Sequence, residues 1–283
     1  METKDIKKIV RENYGKIATQ ESSCCGPEAS SGPMTSCCGT STATDVSKSI
    51  GYTDEDMGAV PEGANLGLGC GNPLALASLK EGETVLDLGS GAGFDCFLAA
   101  NKVGEKGKVI GVDMTPEMIE KAKENAIKDN YSNVEFRLGE IDNLPVADDS
   151  VDIVISNCVI NLAPDKSKVF KEAYRVLKPG GRMMVSDIVL VKELPEQIMN
   201  SIEAYVGCVS GAIKIDDYLG IIEDTGFGGV KIIEKNTFPV DSYVDSEPIK
   251  DAIQEIELTD EEIKKVMVDT ENAIASIKVY AEK

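Results

Sequence analysis

The chain has 283 residues, of which 42% are apolar, enough to bury a sizeable core in one large domain or two ordinary ones. Acidic residues outnumber basic ones 49 to 29, a formal charge of −20, which argues against nucleic-acid binding because phosphate contacts need clustered Lys and Arg. Histidine is absent, so Ser-His-Asp and Cys-His nucleophiles, His-ligated zinc and imidazole bases are excluded.

No apolar run approaches a membrane span, and Met1 to Val10 is mixed in charge without an apolar stretch, so neither a transmembrane helix nor an export signal is expected. A cytoplasmic protein with mostly reduced thiols follows from this reading. Ile6, Ile9, Val10, Tyr14 and Ile17 recur at helical spacing over residues 3–18. Between Gln20 and Ser49, Ser, Thr, Gly, Pro and Cys supply 21 of 30 residues, which predicts a mobile loop. It carries two Cys-Cys-Gly units, Cys24-Cys25-Gly26 and Cys37-Cys38-Gly39.

From about residue 50 the pattern becomes globular. Tyr52 to Met57 can start a helix, and Gly63 to Pro73 is glycine-rich. Strands are predicted at Thr84–Leu88, Lys108–Asp113, Val134–Leu138, Val151–Asn157 and Arg182–Ile188. Helices are predicted from Phe94 to Val103, after Thr115-Pro116, and from Val169 to Leu177. Such alternation predicts an α/β fold with a mostly parallel sheet and helices on both faces. Beyond Ile188 the pattern loosens. Helices are expected at Pro195–Val206 and Ile215–Asp224, a strand at Val230–Glu234, and a final helix opening at the capping box Thr259-Asp260-Glu261-Glu262. Residues 241–283 hold 12 acids and 5 bases, so this helix reads as a solvated packing or oligomer element rather than a catalytic one. The expected organisation is an N-terminal helix and Cys-rich loop over 1–50, a cofactor domain over 51–190, and a smaller α+β extension over 191–283.

The strongest single signal is Val85-Leu86-Asp87-Leu88-Gly89-Ser90-Gly91-Ala92-Gly93, an apolar strand running into three glycines with a helix after them. Glycines permit a sharp turn and let a ligand lie against bare backbone. Asp113 ends the next strand, 20 residues after Gly93, where an acid can accept ribose hydroxyls. The dinucleotide fingerprint wants its last glycine where Phe94 stands. S-adenosylmethionine has no pyrophosphate and suits this turn better. The turn resembles the nucleoside site of class I methyltransferases, as do the segments Gly139-Glu140-Ile141-Asp142-Asn143-Leu144-Pro145 and Leu177-Lys178-Pro179-Gly180-Gly181. That resemblance implies a doubly wound, mostly parallel methyltransferase sheet. It also implies cofactor contacts from Asp87, Gly89, Ser90, Gly91, Asp113, Met114, Glu140, Ile141 and Asn157.

Three cysteines remain. Cys158 follows Ser156-Asn157 at the end of the fourth strand, the edge that faces ligands in open α/β sheets. Cys70 lies in the glycine-rich lead-in Asn65–Pro73, and Cys208 among the small residues of Tyr205–Ala212. None of these spacings is a local metal knuckle, and a free cysteine is commonly a packing residue. Cys96, beside Phe97 and Leu98 in a helix, reads as packing.

Asn65–Pro73, Ser156-Asn157-Cys158-Val159-Ile160-Asn161-Leu162 and Gly207-Cys208 together closely resemble arsenite methyltransferases, and Pro164-Asp165-Lys166 with Glu172–Leu177 extend the match. The resemblance implies that Cys70, Cys158 and Cys208 bind As(III) as thiolates. The substrate would be arsenite or its thiol conjugate, the products mono-, di- and up to trimethylated arsenicals, and the role detoxification. A thiol reductant, thioredoxin or a small thiol, would return the electrons lost when arsenic is formally oxidised. Where some relatives carry Tyr, two positions before the first cysteine, this chain has Leu68. The alternative reading is a C-methyltransferase of the quinone or sterol type, which shares the glycine turn and needs no cysteines. A non-enzymatic thiol-rich metalloid binder is a third.

Overall fold

The structure is a computed structural model that describes residues 3–19, 43–73, 78–194, 211–238 and 273–283. Its centre is a seven-stranded sheet built from β1 (Thr84–Leu88), β2 (Lys108–Asp113), β3 (Val134–Leu138), β4 (Val151–Asn157), β5 (Leu177–Leu190), β6 (Gly228–Phe238) and β7 (Ile274–Glu282). The order is β3-β2-β1-β4-β5-β7-β6. The first five strands run parallel, and β7 is antiparallel to both β5 and β6. This is the α/β, mostly parallel sheet that the sequence alternation predicts, in the class I methyltransferase arrangement that the resemblance of the glycine turn implies.

The apolar runs explain the layering. Val85, Leu86 and Leu88 in β1 and Val151, Ile153, Val154 and Ile155 in β4 are all fully buried, because helices cover both faces of a parallel sheet. One face packs on α4 (Phe94–Val103) and α5 (Pro116–Lys128). The other packs on α6 (Lys166–Val176) and α7 (Ile215–Thr225), with Phe170 and Tyr218 meeting edge to face at 5.4 Å. Pro116 opens α5 as expected. Thr115 occupies the N-cap position but makes no side-chain cap bond; its N–H donates to Asp113 Oδ1 at 2.8 Å.

The sheet reverses direction of winding between β1 and β4, and ligands of open α/β sheets bind outside the strand ends at that point. α1 (Thr3–Thr19), the amphipathic helix expected from residues 3–18, lies over this edge and packs on α5. Lys121 Nζ donates to the Ala18 carbonyl at 3.0 Å.

Several boundaries differ from expectation. Ala43–Ser49, inside the predicted loop, is a helix (α2), and Asp54–Gly58 (α3) is capped by a reciprocal box between Thr53 and Asp56. β5 begins at Leu177, so Lys178–Gly181 forms a bulge inside the strand; pairing jumps from Val151↔Leu177 to Ile153↔Arg182, and Gly180 has φ 78°. The Cys-Cys-Gly units, Pro195–Val206 and Thr259–Glu262 lie outside the described residues.

The last described residues differ from the acidic average around them. The helix expected to open at Thr259 lies outside the described residues, while Ile274–Glu282, inside the acidic stretch 241–283, is a strand buried between β5 and β6. The charge average misleads because Glu282 is the only acid in that strand. Ile277 is fully buried in the larger core cluster. Ile277→Ala should therefore cost about 2–5 kcal/mol and Ile277→Val about 0.5–1.5, read as shifts of the urea midpoint. Equal, negligible shifts would mean β7 is not part of the cooperative sheet.

Candidate active site

β1 leaves the sheet at Leu88 and turns through Gly89, where φ is 69° and a Cβ would collide with the Val159 side chain. Only glycine fits there. Gly89 and Ser90 N–H both donate to the Val112 carbonyl, and Gly91 N–H donates to Asp113 Oδ2 at 3.0 Å. The turn is thus held against the end of β2, with the Asp113 carboxylate clamped between Gly91 and Thr115. A cavity of about 770 Å³ opens above it. All nine cofactor positions expected from sequence line this one cavity: Asp87, Gly89, Ser90, Gly91, Asp113, Met114, Glu140, Ile141 and Asn157.

Cys70 and Cys158 line the same cavity. They are 88 residues apart in sequence, yet their Cα atoms are 5.7 Å apart and they are joined by a disulfide. Cys158 sits at φ 58°, a left-handed conformation that costs a β-carbon residue on the order of 1 kcal/mol or more. Its N–H donates to the Ser186 carbonyl at 2.8 Å. Cys70 is tied on both sides: its N–H donates to Asn157 Oδ1 at 3.1 Å and its carbonyl accepts from Ser276 Oγ of β7 at 2.8 Å. Asn157 Nδ2 lies 2.7 Å from the Gly71 carbonyl, 3.0 Å from Tyr52 OH and 3.2 Å from Asp95 Oδ2. Its amide is therefore spent on holding the Cys70 segment. Gly71 must be bare, because a Cβ would strike Ser186 Oγ. Cys208 lies outside the described residues.

Residues 79–226 match a family described as a methyltransferase domain. An arsenite methyltransferase of Halobacterium salinarum is 53% identical over 82% of this chain and 60% of its own length. One from Aquipseudomonas alcaligenes is 39% identical over 65% of this chain and 55% of its own. A crystal structure of an arsenic(III) S-adenosylmethionine methyltransferase from Chlamydomonas reinhardtii superposes with a TM-score of 0.62 at 33% identity, covering 84% of this chain and 73% of that one. The chain belongs to the arsenite methyltransferase family. It spans a little over half the length of these two curated relatives.

In this family member several site residues carry no sequence signal of their own. Lys7 of α1 reaches Glu140 Oε2 at 2.6 Å and Asp142 Oδ2 at 2.8 Å, clasping the helix over the cavity. Only the helical period of α1 was legible, not where its lysine points. Asp95, hidden in a helix that reads as packing, accepts from Tyr52 OH at 2.6 Å and lines the cavity beside Phe94. Asp187 of β5 is buried, and its carboxylate lies within 4.8 Å of both cysteine sulfurs. Tyr218 OH donates to it at 3.0 Å. Burial pushes Asp187 up to about 7, against the pull of Lys166 and Tyr218. Burial also raises Asp87, reinforced by the charge of Asp95. Among the described residues Cys96 is the free cysteine, buried and donating to Asp87 Oδ2 at 3.2 Å, so its packing assignment holds.

Burial raises Asp95 from 3.8 to about 6, with the Tyr52 and Asn157 hydrogen bonds opposing. The folded chain holds this proton more tightly than the unfolded one, so the contribution is full below pH 3.8 and is lost as pH rises through about 6. The stability difference between wild type and Asp95→Asn should accordingly shift against wild type across that window in urea unfolding at stepped pH. A constant difference would mean that Asp95 titrates normally.

Proposed function

We propose that the chain is an S-adenosylmethionine-dependent methyltransferase acting on trivalent arsenic held by Cys70, Cys158 and Cys208. One observation carries the reading: two cysteines 88 residues apart stand side by side on the wall of the cavity that the glycine turn opens. Packing alone does not require that. Cys208 enters through the resemblance of Gly207-Cys208 to the family's sequences.

The residues present fit the cofactor. Ser90 Oγ is buried without a hydrogen-bond partner, Gly89 offers bare backbone, and the Asp113 carboxylate lines the cavity at the end of β2. Asp113 would take the ribose hydroxyls, and Glu140 and Ile141 would face the base. Bound there, S-adenosylmethionine would supply an electrophilic sulfonium methyl group. The protein's part is then to hold a soft nucleophile in place. Thiolates are the softest side-chain donors and select arsenic over hard cations. An As(III) bound by three sulfurs keeps its lone pair and has no proton to lose. A chain without histidine therefore lacks nothing that this chemistry needs. Well-oriented reactants gain roughly 7–11 kcal/mol over a bimolecular encounter.

The disulfide sets a precondition. Two equivalents of a monothiol, or one dithiol such as reduced thioredoxin, convert Cys70–Cys158 to two thiols and leave as a disulfide. The substrate is arsenite or its thiol conjugate, the products are mono- to trimethylated arsenicals, and the role is detoxification.

With arsenite, S-adenosylmethionine and a dithiol, the purified protein should form methylated arsenicals, and it should form none when the dithiol is left out. Cys158→Ser and Cys208→Ser should each lower the rate by about 100-fold. Arsenic that stays unmethylated would overturn the proposal. Full activity of both variants on a quinone-type acceptor would favour C-methylation instead.

A further inference from the structure

We propose that Cys70, Cys158 and Asp187, once the disulfide is reduced, form a site for a thiophilic divalent cation such as Zn²⁺ or Cd²⁺. Its donor set of two sulfurs and one oxygen differs from the three sulfurs taken by arsenic. The site itself stands on geometry; its consequence, that a bound cation excludes arsenite, rests on the proposed function.

The three donor groups come from three adjacent segments, with the ligand atoms within 4.8 Å of one another. Neighbouring donors of a tetrahedral zinc lie about 3.5–4 Å apart, so opening the S–S bond leaves only a small adjustment. The backbone under each donor is already fixed. Cys70 is held by Asn157 and Ser276, Cys158 by the Ser186 carbonyl, and Asp187 by its register opposite Ile277 in β7. The carboxylate is oriented as metal-bound carboxylates are: Oδ2 accepts from Tyr218 and Oδ1 from the Ile188 N–H, leaving a lone pair on each oxygen. Lys166, itself buried, acts electrostatically on Asp187 and offsets the negative charge of two thiolates and a carboxylate around a dication. A carboxylate oxygen suits borderline cations such as zinc and is a poor match for arsenic, which the third thiol serves. Cys70 and Cys158 line the cavity, which gives the cation its path and a water its fourth position.

The balance is simple. A thiol reductant opens the disulfide and leaves oxidised, and cation binding then releases to solvent the two thiol protons together with the proton on Asp187 where it is held. The cation is neither oxidised nor reduced.

The test uses the full chain carrying Cys24, Cys25, Cys37 and Cys38→Ser, reduced and freed of thiol under argon, with Cd²⁺ alone as probe. The thiolate-to-cadmium charge-transfer band in the ultraviolet should saturate at one equivalent, and the oxidised chain should show none. Cys208→Ser should keep the band. Cys70→Ser and Cys158→Ser should lose it, and Asp187→Asn should weaken binding by about 10-fold or more. Arsenite binding in the same preparations should show the reverse pattern, lost in Cys208→Ser and kept in Asp187→Asn. Cadmium NMR of the chain with Asp187 intact reports the donor set even if Asp187→Asn fails to fold, and mixed sulfur–oxygen coordination is expected. An all-sulfur shift, or loss of the band in Cys208→Ser, would overturn the cation site while leaving the arsenic reading intact. Absence of arsenite binding in every preparation, beside an intact cadmium band, would sink the arsenic reading alone.

Discussion

Asn157 stands at the last position of β4, and its amide is used up on neighbours of the protein itself: Cys70 N–H, the Gly71 carbonyl, Tyr52 and Asp95. Each such bond contributes on the order of 1 kcal/mol net, but leaving its buried partner unmet costs about 1–3. The glycine-rich lead-in is thereby obliged to lie across the sheet edge. Gly71 allows the close approach to Ser186, and Ser276 catches the Cys70 carbonyl from the far strand. The neighbouring position of Cys70 and Cys158 thus follows from backbone anchoring on both sides, independently of the bond between their sulfurs.

The same anchoring joins the two halves of the cavity. Cys158 follows Asn157 directly, and Val159 packs where a Gly89 side chain would stand, so the cofactor turn and the thiol wall share one strand end. Tyr52 and Asp95 extend the network to α4, which begins at the third glycine of the turn. Lys7 closes the opposite rim by pairing with Glu140 and Asp142. A displacement of the lead-in would therefore be felt at both the glycine turn and the cysteine pair.

In a chain of charge −20 the acids around this cavity are unusual for their burial rather than their number. Asp87, Asp95, Asp113 and Asp187 all have raised proton affinities caused first by burial. They are tolerated because each accepts a hydrogen bond from within the protein: Cys96 for Asp87, Tyr52 for Asp95, Gly91 for Asp113 and Tyr218 for Asp187. With no imidazole available, the site is built from carboxyl groups, amides and sulfur, a donor set suited to positioning a soft reactant.

Local chemistry was legible in the sequence. Period and punctuation located the strands β1 to β4, the helices α4 to α6 and the glycine turn, because those signals are written within five to fifteen consecutive residues. The motifs around Cys70 and Cys158 pointed to thiol chemistry for the same reason. What no local window holds is which distant segments meet. That Cys70 reaches Cys158, that Asp187 lies beside both sulfurs, that Lys7 clasps Glu140 and that Ile274–Glu282 fills the slot between β5 and β6 are decided by long-range pairing. In β7 the pattern itself was obscured, since a strand buried on both faces shows no alternation and its neighbouring acids dominate any average. Sequence determined the parts and their chemistry; packing a seven-stranded sheet decided which of them share a cavity.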